Sequence, residues 1–200
     1  MHRQILRRDL LRLGAAGAAG VLVAPAVARA QAPTPVAPTP KGDDIGYVQW
    51  GVTAELLSVA FWQRALDDGE WSKRAQRRLR AARDNDANHL ARLIAVLGED
   101  APAEGDFEIV LPNAPFKTRA RLLAFGKEIE ERVTAVYLDG IARTQDEATR
   151  ALLGRLLVAD AGHLALLRSL DGEPVADAGL RTPMRVEIAG DWIDSYLRVP

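Results

Sequence analysis

Two short stretches of this chain repeat each other: Asp86-Ala87-Asn88-His89 and Asp160-Ala161-Gly162-His163, 74 positions apart. On an α-helix a spacing of three is close to one turn, so each copy sets a carboxylate and an imidazole on a common face. The flanking residues make that face the buried one. Leu79, Ala82, Asp86, His89, Leu93 and Val96 advance by threes and fours, as do Leu153, Leu156, Asp160, His163, Leu167 and Leu170. This is the period of helices packed in a bundle, and the ionisable pair stands where apolar side chains are expected.

Two further helices carry one glutamate each on such a seam. From Tyr47 to Leu66 the stripe is Val48, Val52, Val59, Trp62 and Leu66, with Glu55 filling the missing step. From Lys117 to Ala142, Leu123, Val133 and Tyr137 share a face with Glu130, flanked by Leu122, Ile129 and Val136. Glu128 and Glu131 fall on more polar faces. Glu55 and Glu130 are 75 positions apart, and so are Trp62 and Tyr137. A helical hairpin is therefore written twice, and the predicted fold is an all-α four-helix bundle over residues 46–171.

The junctions carry their own signals. Asp67-Asp68-Gly69 is turn chemistry, and Ser72 is an N-cap for the second helix. Residues 98–117 form a long crossover with one strand-like piece, Phe107 to Leu111. Thr144-Gln145-Asp146-Glu147 has the pattern of a capping box before the fourth helix. The tail, 172–200, alternates at Met184, Val186 and Ile188. It is expected to be irregular or extended, packing on the bundle through Trp192, Ile193, Tyr196 and Leu197.

Four carboxylates and two imidazoles on seam positions raise an electrostatic problem. Burying an unpaired anion costs several kcal/mol, and no Lys or Arg lies beside them on those seams. Two divalent cations held by Glu55, Asp86, His89, Glu130, Asp160 and His163 would solve it. The chain has no cysteine and three histidines, the third being His2. Thiolate zinc sites, iron–sulfur clusters, disulfides and thiol catalysis are thus excluded. Oxygen and imidazole donors suit iron, manganese or zinc. Ser58, Ser72, Ser169 and Ser195 lack a nucleophile-elbow context, and no phosphate-binding glycine loop is present.

The beginning of the chain is expected to be a leader. Arg7-Arg8-Asp9-Leu10-Leu11-Arg12 resembles a twin-arginine motif; an Ala- and Gly-rich apolar run follows, and Ala28-Arg29-Ala30 suits cleavage. The run is too short and weakly apolar for a membrane span. Residues 1–30 are then a signal peptide read by the twin-arginine export machinery, which carries folded proteins to the periplasm, cell envelope or exterior. Residues 31–45 are a Pro-rich, solvated linker. Without the leader, 21 basic and 26 acidic groups remain, a net charge of −5, which does not suggest a nucleic-acid binder. The second helix nevertheless begins with Lys73, Arg74, Arg77, Arg78, Arg80 and Arg83, opposing its own dipole. Two readings stay open, a solvated face, or an anion or nucleic-acid contact.

Taken together, these residues resemble the ferritin-like superfamily: ferritins, bacterioferritins, rubrerythrins and related di-iron or di-manganese carboxylate proteins. The resemblance covers roughly residues 46–171. It implies Glu55 and Glu130 as terminal or bridging ligands, His89 and His163 as one cap for each metal, and Asp86 and Asp160 as bridges. It implies a dinuclear iron or manganese centre, with ferroxidase or peroxide-related redox activity as the expected chemistry. Trp62 and Tyr137 are then either electron donors or plain core aromatics. Both Glu-x-x-His motifs of that family stand here as Asp-x-x-His, one methylene shorter. The competing expectation is a metal-free scaffold or interaction protein of the cell envelope, its six polar groups hydrogen-bonded together with histidine protonated.

Overall fold

The computed structural model describes residues 36–102, 106–176 and 182–199. The expected leader and its cleavage site lie outside the described residues. Four long helices dominate: α1 (Asp43–Asp68), α2 (Lys73–Leu97), α3 (Arg119–Arg143) and α4 (Glu147–Asp171). α1 packs along α2 and α3 along α4, and the two hairpins meet mainly through α1 and α3. No helix among the described residues is long and apolar enough to cross a membrane.

This arrangement decides which helices show a clean stripe. α2 buries Leu79, Ala82, Asp86, His89 and Leu93 in the expected order, with Ala75 and Leu97 at its ends and Val96 half-buried, and most of its other residues exposed. α1 is covered on several sides, so residues off the expected stripe are buried as well: Leu57 and Phe61 are fully enclosed, while Val59 is only half-buried. α3 behaves likewise. Both expected rows are buried, Glu130 with them; Glu128 is exposed and Glu131 half-buried.

The ends are set by local chemistry. Ser72 caps α2, its side chain accepting from the Ala75 N–H at 3.2 Å. The start of α4 corrects the expected capping box. Asp146, not Thr144, is the N-cap and accepts from the Thr149 N–H at 2.8 Å. The Thr144 hydroxyl is instead buried. α1 also begins earlier than the linker boundary at 45 allows. Asp44 is buried, its carboxylate accepting from the Gln145 and Asp146 N–H groups at 2.9–3.2 Å. The Thr39 N–H donates to Asp146 at 3.2 Å, so the end of the Pro-rich stretch is held on the α3–α4 turn.

The tail differs from expectation in form and agrees in contact. Val186–Asp194 is a helix, α5, which buries Ala189 and Ile193 at a spacing of four. The Met184/Val186/Ile188 alternation straddles its start, and Ile188 points to solvent. Trp192 and Tyr196 pack on the core. β1 (Glu108–Ile109) in the crossover pairs antiparallel with β2 (Leu197–Arg198), pinning tail and crossover together.

At the α1–α3 contact, Gly126 sits against the Phe61 ring, where a Cβ would fall inside van der Waals contact. Trp62, Phe116 and Phe125 surround that ring, so it cannot swing aside. Mid-helix Gly→Ala normally stabilises by about 1 kcal/mol. At Gly126 the sign should reverse. The G126A variant is expected to lose about 1–3 kcal/mol in urea unfolding through overpacking. A midpoint equal to or above wild type would contradict the close approach.

Candidate metal centre

Six side chains from four helices converge in the middle of the bundle. Glu55 comes from α1, Asp86 and His89 from α2, Glu130 from α3, and Asp160 and His163 from α4. All six are the residues that the sequence singles out. The four acids are about 1 % exposed, against 8 % for His89 and 7 % for His163, so the imidazoles form the rim and the carboxylates the floor.

The distances define two overlapping groups. His89 Nδ1 lies 3.5 Å from Glu55 Oε1, 3.6 Å from Asp86 Oδ1 and 3.5 Å from Asp160 Oδ1. His163 Nδ1 lies 3.1 Å from Asp86 Oδ1, 3.7 Å from Asp160 Oδ1 and 4.0 Å from Glu130 Oε1. Each aspartate thus has one oxygen between the two imidazoles, and each glutamate belongs to one imidazole. Glu55, Asp86, His89 and Asp160 offer donor atoms within 4.8 Å of one another, as do Asp86, Glu130 and His163. The duplicated hairpin accounts for this pattern, since each half supplies one Glu, one Asp and one His.

The hydrogen bonding is incomplete in a telling way. Asp86 Oδ1, His89 Nδ1, Glu130 Oε1, both Asp160 carboxylate oxygens and His163 Nδ1 are buried without a hydrogen-bond partner. An orphaned buried polar atom costs about 1–3 kcal/mol, and more when charged. These six atoms belong to five residues of the two donor groups, and all of them are metal-donor types. A set of acids and imidazoles aimed inward with lone pairs unspent fits a cation.

The electrostatics point the same way. Burial, reinforced by Asp86, pushes the Glu55 carboxyl well up, with a partly offsetting hydrogen bond from Tyr137. Burial raises Glu130 strongly, helped by Asp86, Asp160 and Glu55. Asp160 rises from burial and from the charges of Glu55 and Asp86. Burial pushes His89 down, against the pull of Asp86. Without a cation the site therefore takes up protons on its acids and sheds them from His89.

Around the six stands a second layer that the sequence left partly hidden. Trp62 and Tyr137 are equivalent by position, yet they serve different acids. The Trp62 Nε1–H donates to Asp86 Oδ2 at 2.7 Å, and the Tyr137 hydroxyl donates to Glu55 Oε1 at 2.8 Å. Asn85 was not foreseen. Its Nδ2 lies 3.4 Å from His163 Nε2. With the amide turned over, its oxygen would accept an Nε2–H and leave Nδ1 free for a metal. The sequence signal is a break in the repeat: the residue 74 positions on from Asn85 is Ala159.

The model of the ferritin-like domain family matches residues 43–173. The chain belongs to that family. The match spans all four long helices and every residue of the central cluster. Among curated proteins no match was found. A ferritin-like bundle with a buried Glu/Asp/His cluster is compatible with a dimetal site.

A pH dependence follows for the metal-stripped protein. A carboxyl raised in the fold contributes stability below its ordinary value and loses it as pH climbs through the raised value. Glu55, Glu130 and Asp160 all act in this sense. His89 acts oppositely, penalising the fold only below about pH 6.5, where an unfolded histidine would charge. Three groups outweigh one. The chelator-treated protein should melt at a lower temperature at pH 8 than at pH 5, by calorimetry. A melting temperature that is flat or rises over that range would contradict the raised acids.

Proposed function

We propose that this ferritin-like protein is exported and holds a dinuclear iron or manganese centre, with zinc as a further candidate, for redox chemistry of the ferroxidase or peroxide-removing kind. One observation supports the metal: six buried donor atoms of this cluster have no hydrogen-bond partner among the described residues. Glu55 and His89 would hold one ion, Glu130 and His163 the other, and Asp86 and Asp160 would bridge. Bound there, such ions would supply Lewis acidity and, for iron or manganese, one-electron redox capacity.

The chain's own residues would do the positioning. Trp62 fixes the Asp86 carboxylate and Tyr137 fixes Glu55, so neither acid must be ordered when an ion arrives. Asp in place of Glu on α2 and α4 shortens the reach of the bridging acids and favours a compact site. The enclosing helices exclude bulk water from the floor. The metal-free scaffold would need the six groups to satisfy one another, and the orphaned atoms favour the metal reading over it.

Export rests on Arg7-Arg8, the apolar run and Ala28-Arg29-Ala30. Delivery of folded protein would let the centre be filled in the cytoplasm before transport.

Both parts are testable on protein matured in its own cells. Elemental analysis of the exported fraction should find about two equivalents of iron or manganese, falling to about one or none in Glu130→Ala. Less than about half an equivalent of any transition metal, with no uptake on reconstitution, would overturn the metal reading. Replacing Arg7 and Arg8 by Lys should hold the protein in the cytoplasm; unchanged export would overturn the twin-arginine assignment.

A further inference from the structure

The first turns of α2 carry charge that no acid among the described residues neutralises. Lys73, Arg74, Arg77, Arg78 and Arg80 are all exposed. Among the described residues none of these five has an acidic partner, a hydrogen-bond acceptor or an aromatic ring. Other cations meet an acid, while Arg92, Arg121 and Arg155, also exposed, stand singly and not in a cluster. Arg64 meets Asp68, Arg83 meets Asp84, Lys127 meets Asp171 and Glu173, and Arg132 meets Glu128. Arg143 meets Asp139, and Arg185 meets Glu187.

The arrangement weakens the helix that carries it. Lys73 and Arg77, and Arg74 and Arg78, are like-charge pairs at a spacing of four. There is no acid in the first turn of α2, where one would help. The first N–H groups are served by Ser72, so the feature is the side-chain cluster and not the helix end. A local rule broken without internal compensation is expected where an outside partner supplies it.

The shape of the patch narrows the partner. At 100° per residue the five cations cover an arc of about 160°, opposite the buried Leu79/Ala82/Asp86 stripe, over about 11 Å of helix. The patch is about as broad as it is long. Asp84 follows on the same outward face and ends it. A nucleic-acid strand presents a line of phosphates and asks for a long track, with aromatic rings where bases stack. This patch has neither length nor an exposed ring. A bilayer presents a plane of anionic headgroups and asks for clustered, convex positive charge.

We propose that the outer face of the first turns of α2 docks the protein on an anionic lipid surface, without insertion. The contact is independent of the central metal centre. It places the bundle against a membrane by charge alone, so it weakens steeply with salt.

The test is vesicle flotation of the full chain at low salt, on phosphatidylcholine vesicles with and without 30 % phosphatidylglycerol. Preference for the anionic vesicles should drop by roughly thirtyfold in Arg77→Gln/Arg78→Gln, at roughly fivefold per cation near such a surface. The charge-matched control Arg155→Gln/Arg198→Gln should change it less than about twofold. Circular dichroism should show both variants folded, since all four residues are exposed. Equal partition of wild type on both vesicle types, or equal losses in the two variants, would overturn the proposal. So would tighter binding of a duplex oligonucleotide than of vesicles at the same salt, which would assign the patch to nucleic acid.

Discussion

Four carboxyl groups are forced together in the dry centre of this bundle, and much of the rest can be read as managing that fact. Each unpaired buried charge costs several kcal/mol, while a whole domain is stable by about 5–15 kcal/mol. The cluster therefore cannot persist as four bare anions. Part of the burden is met by hydrogen bonds, from Trp62 to Asp86 and from Tyr137 to Glu55. Part is met by protons, as the raised Glu55, Glu130 and Asp160 carboxyls indicate. What remains are buried atoms on Asp86, Glu130, Asp160 and the two histidines that nothing among the described residues satisfies.

The helices explain why those six residues, and not others, meet. α1 and α3 run through the centre and bring one glutamate each; α2 and α4 lie outside and bring an Asp-x-x-His each. Duplication makes the halves similar, but the site they build is not symmetric. Asn85 stands beside His163, and Ala159 takes the equivalent place in the other half. Tyr137 reaches across to Glu55, and Trp62 stays within its own hairpin with Asp86.

The site was legible in the sequence because its residues interrupt an otherwise apolar seam of helical period. Asp86 and His89 could be placed on a buried face from Leu79, Ala82 and Leu93 alone. Signals that depend on tertiary packing were harder to read. Leu57 and Phe61 lie off the expected stripe because α1 is covered on several sides, which periodicity cannot foresee. The tail reads as alternating near Met184 and Ile188, yet Ala189 and Ile193 bind it as a helix. The N-cap of α4 is Asp146 because Thr144 closes α3, its N–H donating to the Gly140 carbonyl. The early start of α1 depends on Asp44 meeting backbone N–H groups about a hundred positions away. Asn85 carried no periodic signal at all, only its mismatch with Ala159.

Anomalous X-ray diffraction from crystals of the natively matured protein, recorded at the iron and manganese edges, would locate the ions directly. The expected result is two peaks inside the bundle, one bounded by Glu55 and His89 and the other by Glu130 and His163, with Asp86 and Asp160 reaching both. A centre without a peak, or a metal bound only at residues outside these six, would contradict the dinuclear reading.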